Sequence, residues 1–215
     1  MRYCCVTARL RVFVSGGGEE RFATAEAYVA PVVRASETVG QPGWLFAAAL
    51  TGCKVTEKNI SGLSVAPKPM VRRISFNVKV TDHKEVESVK GGLLNVATAL
   101  NLSTGKPVPA SIGETDIPIE RSADAFTGSV LVFSLFKSKD DVPGKADKDL
   151  RLTISYADGS DKTVELNISD QLDDEEDIAG GDVNVDIDVA PNGIRLEVSI
   201  IEWVNGKGPD IPVRK

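Results

Sequence analysis

Residues 91 to 109 read GGLLNVATALNLSTGKPVP and contain the glycine and Thr-Gly-Lys residues that can cradle a phosphate. A phosphate-binding loop needs a glycine, four residues and then Gly-Lys-Ser/Thr, so that backbone N–H groups surround the phosphates and a hydroxyl meets magnesium. Here the position five before Gly105 is Leu100, and Pro107 follows Lys106. The spacing therefore excludes a phosphate-binding loop, and the segment must have another role.

A run of acidic residues offers a second kind of chemistry. Nine carboxylates and no lysine or arginine lie between Asp170 and Gly193, and five of them are consecutive, at 173–177. Calcium takes several carboxylate oxygens, so a cation site is one interpretation, although EF-hand spacing is absent. We prefer a solvated acidic loop between strands, which is the usual state of a charge run.

Three of these nine carboxylates, Asp182, Asp186 and Asp188, fall on one face of a predicted strand at 182–190, because side chains alternate along a strand. Apolar residues occupy the positions between them. We predict that these carboxylates lie on the solvated face of a sheet.

Other catalytic signatures are missing. The single histidine, His83, lies in a polar stretch, TDHKE, with no nucleophile near it in the sequence. The three cysteines, Cys4, Cys5 and Cys53, form neither a CxxC pair nor a zinc spacing. GxSxG and HExxH are absent. We therefore predict no catalytic, cofactor-binding or metal-binding residues, no cofactor, and a protein that is not an enzyme.

Composition limits the partners. The chain of 215 residues is 42% hydrophobic and 26% charged, which is ordinary for a globular protein. Its net charge of −6 argues against nucleic acid as a partner, since nucleic-acid binding needs clustered lysine and arginine. No stretch of 18 apolar residues occurs, and the N-terminal sequence lacks the apolar region of a signal peptide.

The sequence Leu50-Thr51-Gly52-Cys53 has the form of a bacterial lipobox, in which the cysteine becomes lipidated. A lipobox follows an N-terminal basic and apolar leader, whereas a predicted β-region precedes this one. The alternative is a buried strand or turn that ends in a packed cysteine, and both interpretations stay open.

Alternation of apolar and polar residues dominates the chain and predicts strands. The clearest alternation covers 6–14, 150–156, 164–168, 183–189 and 194–200, and further strands are predicted at 22–30, 71–80, 86–90 and 126–136. Asp-Gly within 157–162 and APNG at 190–193 predict turns between strands.

These elements predict an all-β protein. Helices of 10–15 residues between strands, which a parallel α/β sheet needs, are absent from the pattern, so we predict an antiparallel β-sandwich. The one helical feature is a predicted turn in GGLLNVATALN, where four apolar residues follow helical spacing. Two prolines near 62–70 suggest a boundary, which gives a partial N-terminal β-domain at 1–65 and a complete β-domain at 66–215.

The order of segments after about residue 42 resembles a known family. QPGWLFAA, VAPKPMVRRISFNVKV and VKGGLLNVATALNLSTGKPV come first, and FTGSVLVFSLF, LRLTISYADGSDKTVELNISDQL and RLEVSIIEWV follow. This order is similar to that of the fimbrial anchor and minor-subunit family of Bacteroidetes, part of the fimbrillin superfamily that builds type V pili. The resemblance covers about residues 42 to 215.

The resemblance implies tandem transthyretin-like β-sandwich domains, the first truncated in this chain, and a non-catalytic cell-surface protein. It also implies other fimbrial subunits as partners, assembly by β-strand complementation, and outer-membrane association through a lipid anchor not visible in this chain. The segment 91–107 would then be a structural crossover that caps one end of the sandwich. A surface carbohydrate- or host-binding adhesin is the alternative, and it would require Trp44, Trp203 or Tyr156 to be exposed and clustered.

Overall fold

The computed structural model describes residues 26–32, 38–47, 67–81, 85–109, 111–137, 142–171, 181–190 and 193–202. Within these ranges the chain forms β-strands and one short 3-10 turn at Ser169–Gln171. The predicted all-β class is therefore confirmed.

Thirteen strands are present in the described ranges. In chain order they are β1 (Glu26–Tyr28), β2 (Phe46–Ala47), β3 (Lys68–Pro69), β4 (Arg72–Val80), β5 (Val86–Ala97), β6 (Ala99–Asn101), β7 (Ile112–Ile117), β8 (Ile119–Arg121), β9 (Phe126–Val132), β10 (Leu150–Tyr156), β11 (Asp161–Leu166), β12 (Gly181–Ala190) and β13 (Gly193–Glu202).

Two sheets form the sandwich. The four-stranded sheet has the order β11-β10-β5-β7, and the five-stranded sheet has the order β13-β12-β4-β9-β8. Pairing between these strands is antiparallel except between β12 and β4, which run parallel. Apolar side chains from both sheets share one core, which includes Ile74, Leu93, Phe126, Leu152 and Ile187. The predicted β-sandwich is thus confirmed.

A second, smaller apolar cluster joins the start of the chain to the rest. Ala27 and Leu45 are buried in it against Val71, Leu100 and Phe133. β1 pairs with β6, and β2 pairs with β3, so backbone hydrogen bonds cross the same region. The described part of residues 1–65 therefore packs on the later strands. The boundary itself stays a prediction, because residues 48–66 lie outside the described ranges.

The predicted helical turn in GGLLNVATALN is wrong. Residues 91–97 continue β5, which pairs with β10 along one edge and with β7 along the other. Apolar residues at helical spacing also suit this strand, because its C-terminal part is buried on both faces at Leu93, Val96 and Ala97. Periodicity cannot separate a short apolar run in a doubly buried strand from a helix. The predicted strand at 86–90 was consequently too short.

Most other predicted strands are confirmed with shifted ends. Those at 71–80, 150–156, 183–189 and 194–200 match β4, β10, β12 and β13, whereas 126–136 ends at Val132 and 164–168 lies at 161–166. Only 26–28 of the predicted strand 22–30 is described as a strand, and 6–14 lies outside the described ranges. β7 and β8 were missed, since IGETDI and IER carry few apolar residues.

Two adjacent glycines in β5 differ in the space around them. A Cβ on Gly91 would lie 2.8 Å from Ile119 Cδ1 and 3.0 Å from Ile117 Cβ, whereas a Cβ on Gly92 would have no atom within 4 Å. Neither glycine has a positive φ. Of these two glycines, only Gly91 therefore lies where the two sheets approach closely.

We expect Gly91→Ala to lower the free energy of unfolding by about 1–3 kcal/mol, because the added methyl overpacks the core. Gly92→Ala is the matched control and should change it by less than about 1 kcal/mol, and in the stabilising direction. Urea unfolding monitored by tryptophan fluorescence measures both. Equal effects of the two substitutions would contradict the close approach at Gly91.

Candidate functional site

Another chain could add a strand at the outer edges of the two sheets, and these edges differ in how far the described residues cover them. The edge of β7 is partly covered, because Thr38 forms a parallel bridge with Glu114 and the Val39 N–H donates to the Glu114 carbonyl at 2.7 Å. The Thr38 hydroxyl also bonds the Glu114 carboxylate at 3.1 Å. This edge is closed by the chain's own residues at that point.

The edges at β8 and β11 are poorly suited to strand addition. β8 has only three residues. β11 has six residues, and charged side chains are frequent along it, at Asp161, Lys162 and Glu165. Short strands and edge charges are two devices by which natural sheets avoid pairing with other chains.

β13 is the long edge of the five-stranded sheet. All ten of its residues pair with β12, from Gly193 opposite Ala190 to Glu202 opposite Gly181. It stands at the end of the sheet order, and no described strand pairs with its outer side. Such a row of backbone groups is a template for another strand.

The hydrogen bonds of β12 fix which groups of β13 point outward. The Val189 carbonyl accepts the Thr81 N–H at 2.8 Å, so Val189 directs its backbone groups toward the β4 side. Its partner across β13 is Ile194, and the two form a non-hydrogen-bonded pair. Ile194 therefore directs its own N–H and carbonyl to the outer edge. By alternation Leu196 does the same, whereas Arg195 bonds inward to β12.

The side chains along the first half of β13 alternate in the same way. Ile194 is 42% exposed although its partner Val189 is buried, and Leu196 is half-buried against the main core. Arg195 and Glu197 lie on the solvent face, where their charged groups are 3.5 Å apart. Both side chains are mostly exposed, so this ion pair contributes little to stability. This edge strand thus has an apolar face, with Ile194 and Leu196, and a charged face, with Arg195 and Glu197.

Proline substitutions test the direction of these backbone groups. Ile194→Pro should be tolerated within about 1 kcal/mol, because it removes an N–H that points away from β12, a position that edge strands accept. Arg195→Pro should lower the free energy of unfolding by about 1–3 kcal/mol, since it removes a ladder hydrogen bond. Urea unfolding distinguishes them. A larger loss for Ile194→Pro than for Arg195→Pro would reverse the assignment.

The carboxylates of β12 lie where the sequence placed them. Asp186 and Asp188 are exposed and alternate with Val185, Ile187 and Val189, which are buried. Asn77 Nδ2 donates to Asp186 Oδ1 at 2.7 Å across the sheet. The predicted solvated face is confirmed for these two residues.

Several candidates cannot be placed. The acidic run 173–177, His83, the three cysteines, the lipobox sequence 50–53 and Trp203 lie outside the described residues, and only the backbone of Asp182 is described. Among the described residues, no three histidine, cysteine or carboxylate side chains group as metal ligands would. In the same part of the chain, no helix is apolar and long enough to span a membrane.

The segment that opened the sequence analysis uses its polar groups internally. Asn101 Oδ1 accepts hydrogen bonds from the N–H and hydroxyl groups of both Ser103 and Thr104. The Thr104 hydroxyl in turn accepts the Lys106 N–H at 3.2 Å, and Gly105 has a φ of 69°. This is an Asx-type turn that leads out of β6.

One buried carboxylate was missed by sequence reasoning. Asp149 is 1% exposed and accepts hydrogen bonds from the backbone N–H of Ile168 at 2.7 Å, the N–H of Ser169 at 2.9 Å and the Ser169 hydroxyl. An acid beside a serine can suggest catalysis, but both residues are buried and the carboxylate bonds backbone groups as a cap does. Asp149 therefore holds the Ser169–Gln171 turn against β10.

We expect Asp149→Asn to lower the free energy of unfolding by about 2–4 kcal/mol, because an amide replaces an acceptor oxygen with a donor and leaves buried N–H and O–H groups unpaired. Asp147→Asn, in the same loop but exposed, is the matched control and should have little effect. Thermal unfolding by circular dichroism checks both, and a neutral Asp149→Asn would refute the capping role.

A second polar residue secures the same loop. Asn95 has a φ of 58° at the bulge in β5, and its buried side chain bonds the Ala146 N–H at 2.8 Å and the Ala146 carbonyl at 3.0 Å. Asparagine tolerates this left-handed conformation better than most residues. The predicted crossover at 91–107 is thus corrected: residues 91–97 belong to the central strand β5, whose bulge holds a loop, and residues 99–101 form β6.

Of the three aromatic residues named for sugar binding, the two that the structure describes, Trp44 and Tyr156, do not cluster. Trp44 is half-buried, stacks on Phe46 with ring centroids 6.5 Å apart, and packs on the smaller apolar cluster. Tyr156 is half-buried against the main core instead. These two rings therefore share no platform.

Comparison with solved structures places the fold. A candidate polysaccharide-binding protein of Bacteroides thetaiotaomicron matches 93% of this chain and 72% of its own length, at 10% identity and a TM-score of 0.56. A candidate adhesin of Bacteroides ovatus matches 87% of this chain and 69% of its own length, at 17% identity and a TM-score of 0.52. The fimbrial anchor protein Mfa2 of Porphyromonas gingivalis matches 90% of this chain and 70% of its own length, at 10% identity and a TM-score of 0.50.

The chain has the fold of these three proteins. The resemblance inferred from the sequence is therefore confirmed at the level of fold. No protein-family model and no curated protein matches the chain.

Proposed function

We propose that this protein is a non-catalytic structural protein of the bacterial cell surface, an anchor or minor subunit of a fimbrium. The fold that it shares with the fimbrial anchor protein Mfa2 supports this role. The observation that carries the proposal is the ten-residue edge of β13, whose outer backbone groups no described strand covers. Fibres grow when one subunit supplies a strand to the edge of the next.

The proposal includes other fimbrial subunits as partners and attachment to the outer membrane through a lipid. Assembly by strand complementation needs an edge that is long, regular and not guarded by its own side chains. β13 is long and regular, which meets the first two conditions. For the third condition, Ile194 and Leu196, whose backbone groups point outward, have apolar side chains that carry no charge. The charged residues Arg195 and Glu197 direct their backbone groups to β12, and no described strand covers the outward N–H and carbonyl groups of Ile194 and Leu196.

Fimbriae isolated from the bacterium that produces this protein test the proposal. We expect the protein to co-purify with the fibres, to reside in the outer-membrane fraction and to incorporate labelled palmitate. Deletion of its gene should change fibre length or attachment, as seen by electron microscopy, and the wild-type gene should restore both. A strain carrying Ile194→Pro should restore them less well, because one outward N–H is missing.

Ile194→Ala, which keeps that N–H, is the matched control. Unlipidated protein confined to the cytoplasm, with fibres unchanged by the deletion, would contradict the proposal.

A carbohydrate-binding adhesin is the second candidate. It is favoured by the similarity to the candidate polysaccharide-binding protein and by Tyr28, an aromatic residue that is 43% exposed. The Tyr28 hydroxyl donates to the Glu26 carboxylate, and this bond raises the pKa of Tyr28. A glycan array is the test: binding that Tyr28→Ala abolishes and Tyr28→Phe retains would support the adhesin, and no binding would remove it.

A further inference from the structure

We propose that two copies of this chain pair antiparallel through the outer edges of β13, with Leu196 of each copy opposite Leu196 of the other. The inference names the occupant of the edge on which the proposed function rests, and it is tested on purified protein, apart from any fibre. The pairing would join two five-stranded sheets into one continuous sheet across a two-fold axis.

The hydrogen-bonding groups allow this pairing. Ile194 and Leu196 direct their N–H and carbonyl groups outward, because Val189 directs its own groups toward β4. In an antiparallel pair, two outward-directed residues must lie opposite each other to exchange both hydrogen bonds. A register centred on Leu196 meets this condition and places Ile194 of one copy opposite Val198 of the second copy.

Charge selects this register from its neighbours. With Leu196 at the centre, Arg195 of each copy faces Glu197 of the other, so the contact contains two opposite-charge pairs. These positions form non-hydrogen-bonded pairs, whose Cα atoms lie about 4.5 Å apart and whose side chains are closest. The two neighbouring registers that also keep outward-directed residues opposite each other are centred on Arg195 and on Glu197. They place Arg195 opposite Arg195 or Glu197 opposite Glu197, and like charges directly opposite are destabilising.

The exposed apolar margin supports the same occupant. Ile194 is one of three large hydrophobic side chains that are exposed in the described part of the chain. A strand added beside β13 would cover part of this side chain and remove it from water. Because the contact is the same on both copies, the pair is closed and covers the edge, so a strand of another fimbrial subunit must displace the second copy before it can pair with β13.

A charge-exchange series in the purified chain tests the pairing by sedimentation equilibrium. The wild-type protein should show a concentration-dependent dimer. Arg195→Glu and Glu197→Arg should each raise the dissociation constant about tenfold, because both charge pairs become repulsive. The double variant, Arg195→Glu with Glu197→Arg, should return it toward the wild-type value. Arg195 lies opposite Asp188 and Glu197 opposite Asp186 in β12, so Arg195→Glu should destabilise the monomer slightly and Glu197→Arg should stabilise it slightly. Thermal unfolding of dilute protein measures these changes separately from dimerisation.

A wild-type protein that is monomeric at every concentration would overturn the inference. Single variants that dimerise as well as wild type, or a double variant that does not recover, would also overturn it. The proposed function fails separately, through the fractionation and deletion results in the native bacterium. A monomer in solution that still enters fibres would remove the homodimer and leave the fimbrial role.

Discussion

The parallel pairing of β12 with β4 is the constraint on which the five-stranded sheet depends. It joins residues far apart in the chain, as the Asn77–Asp186 hydrogen bond across 109 positions shows. β12 pairs with β4 along one edge and with β13 along the other, so β13 lies at the margin of the sheet. The same pairing sets the direction of every backbone group in β12 and, through it, in β13. The position of β13 at the margin of the sheet is therefore a consequence of a contact inside the sheet.

The opposite sheet depends on β5 in a similar way. β5 is paired on both sides, and Gly91 lets Ile117 and Ile119 approach it closely. Its bulge at Asn95 then turns a side chain toward the 142–149 loop, which Asp149 ties to the end of β11. Buried polar groups that are fully hydrogen-bonded fix a single arrangement, since each lost bond is costly. These polar contacts hold the 142–149 loop against β5 and the end of β11.

The sequence predicted what local alternation can predict. The alternation over 150–156 and 183–189 gave the strands and the buried face, and Asp-Gly gave the turn at Gly159, whose φ is 83°. It failed at 91–97, where a strand buried on both faces loses its period of two. It also could not show that Ile194 points its N–H outward, because that depends on Thr81 and Val189. Asp149 was missed because nothing near it in the sequence marks a carboxylate whose partners lie 19 and 20 residues later.

Amide hydrogen exchange, resolved by residue in dilute protein, tests the open edge most directly. The account predicts slow exchange for the N–H groups of Arg195 and Glu197, which bond to β12, and fast exchange for those of Ile194 and Leu196, which point away from β12. This alternation should fade as the protein concentration rises and the outer groups become paired. Equal protection of all four amides in dilute protein, or the reverse alternation, would contradict the assignment of β13 as an open edge.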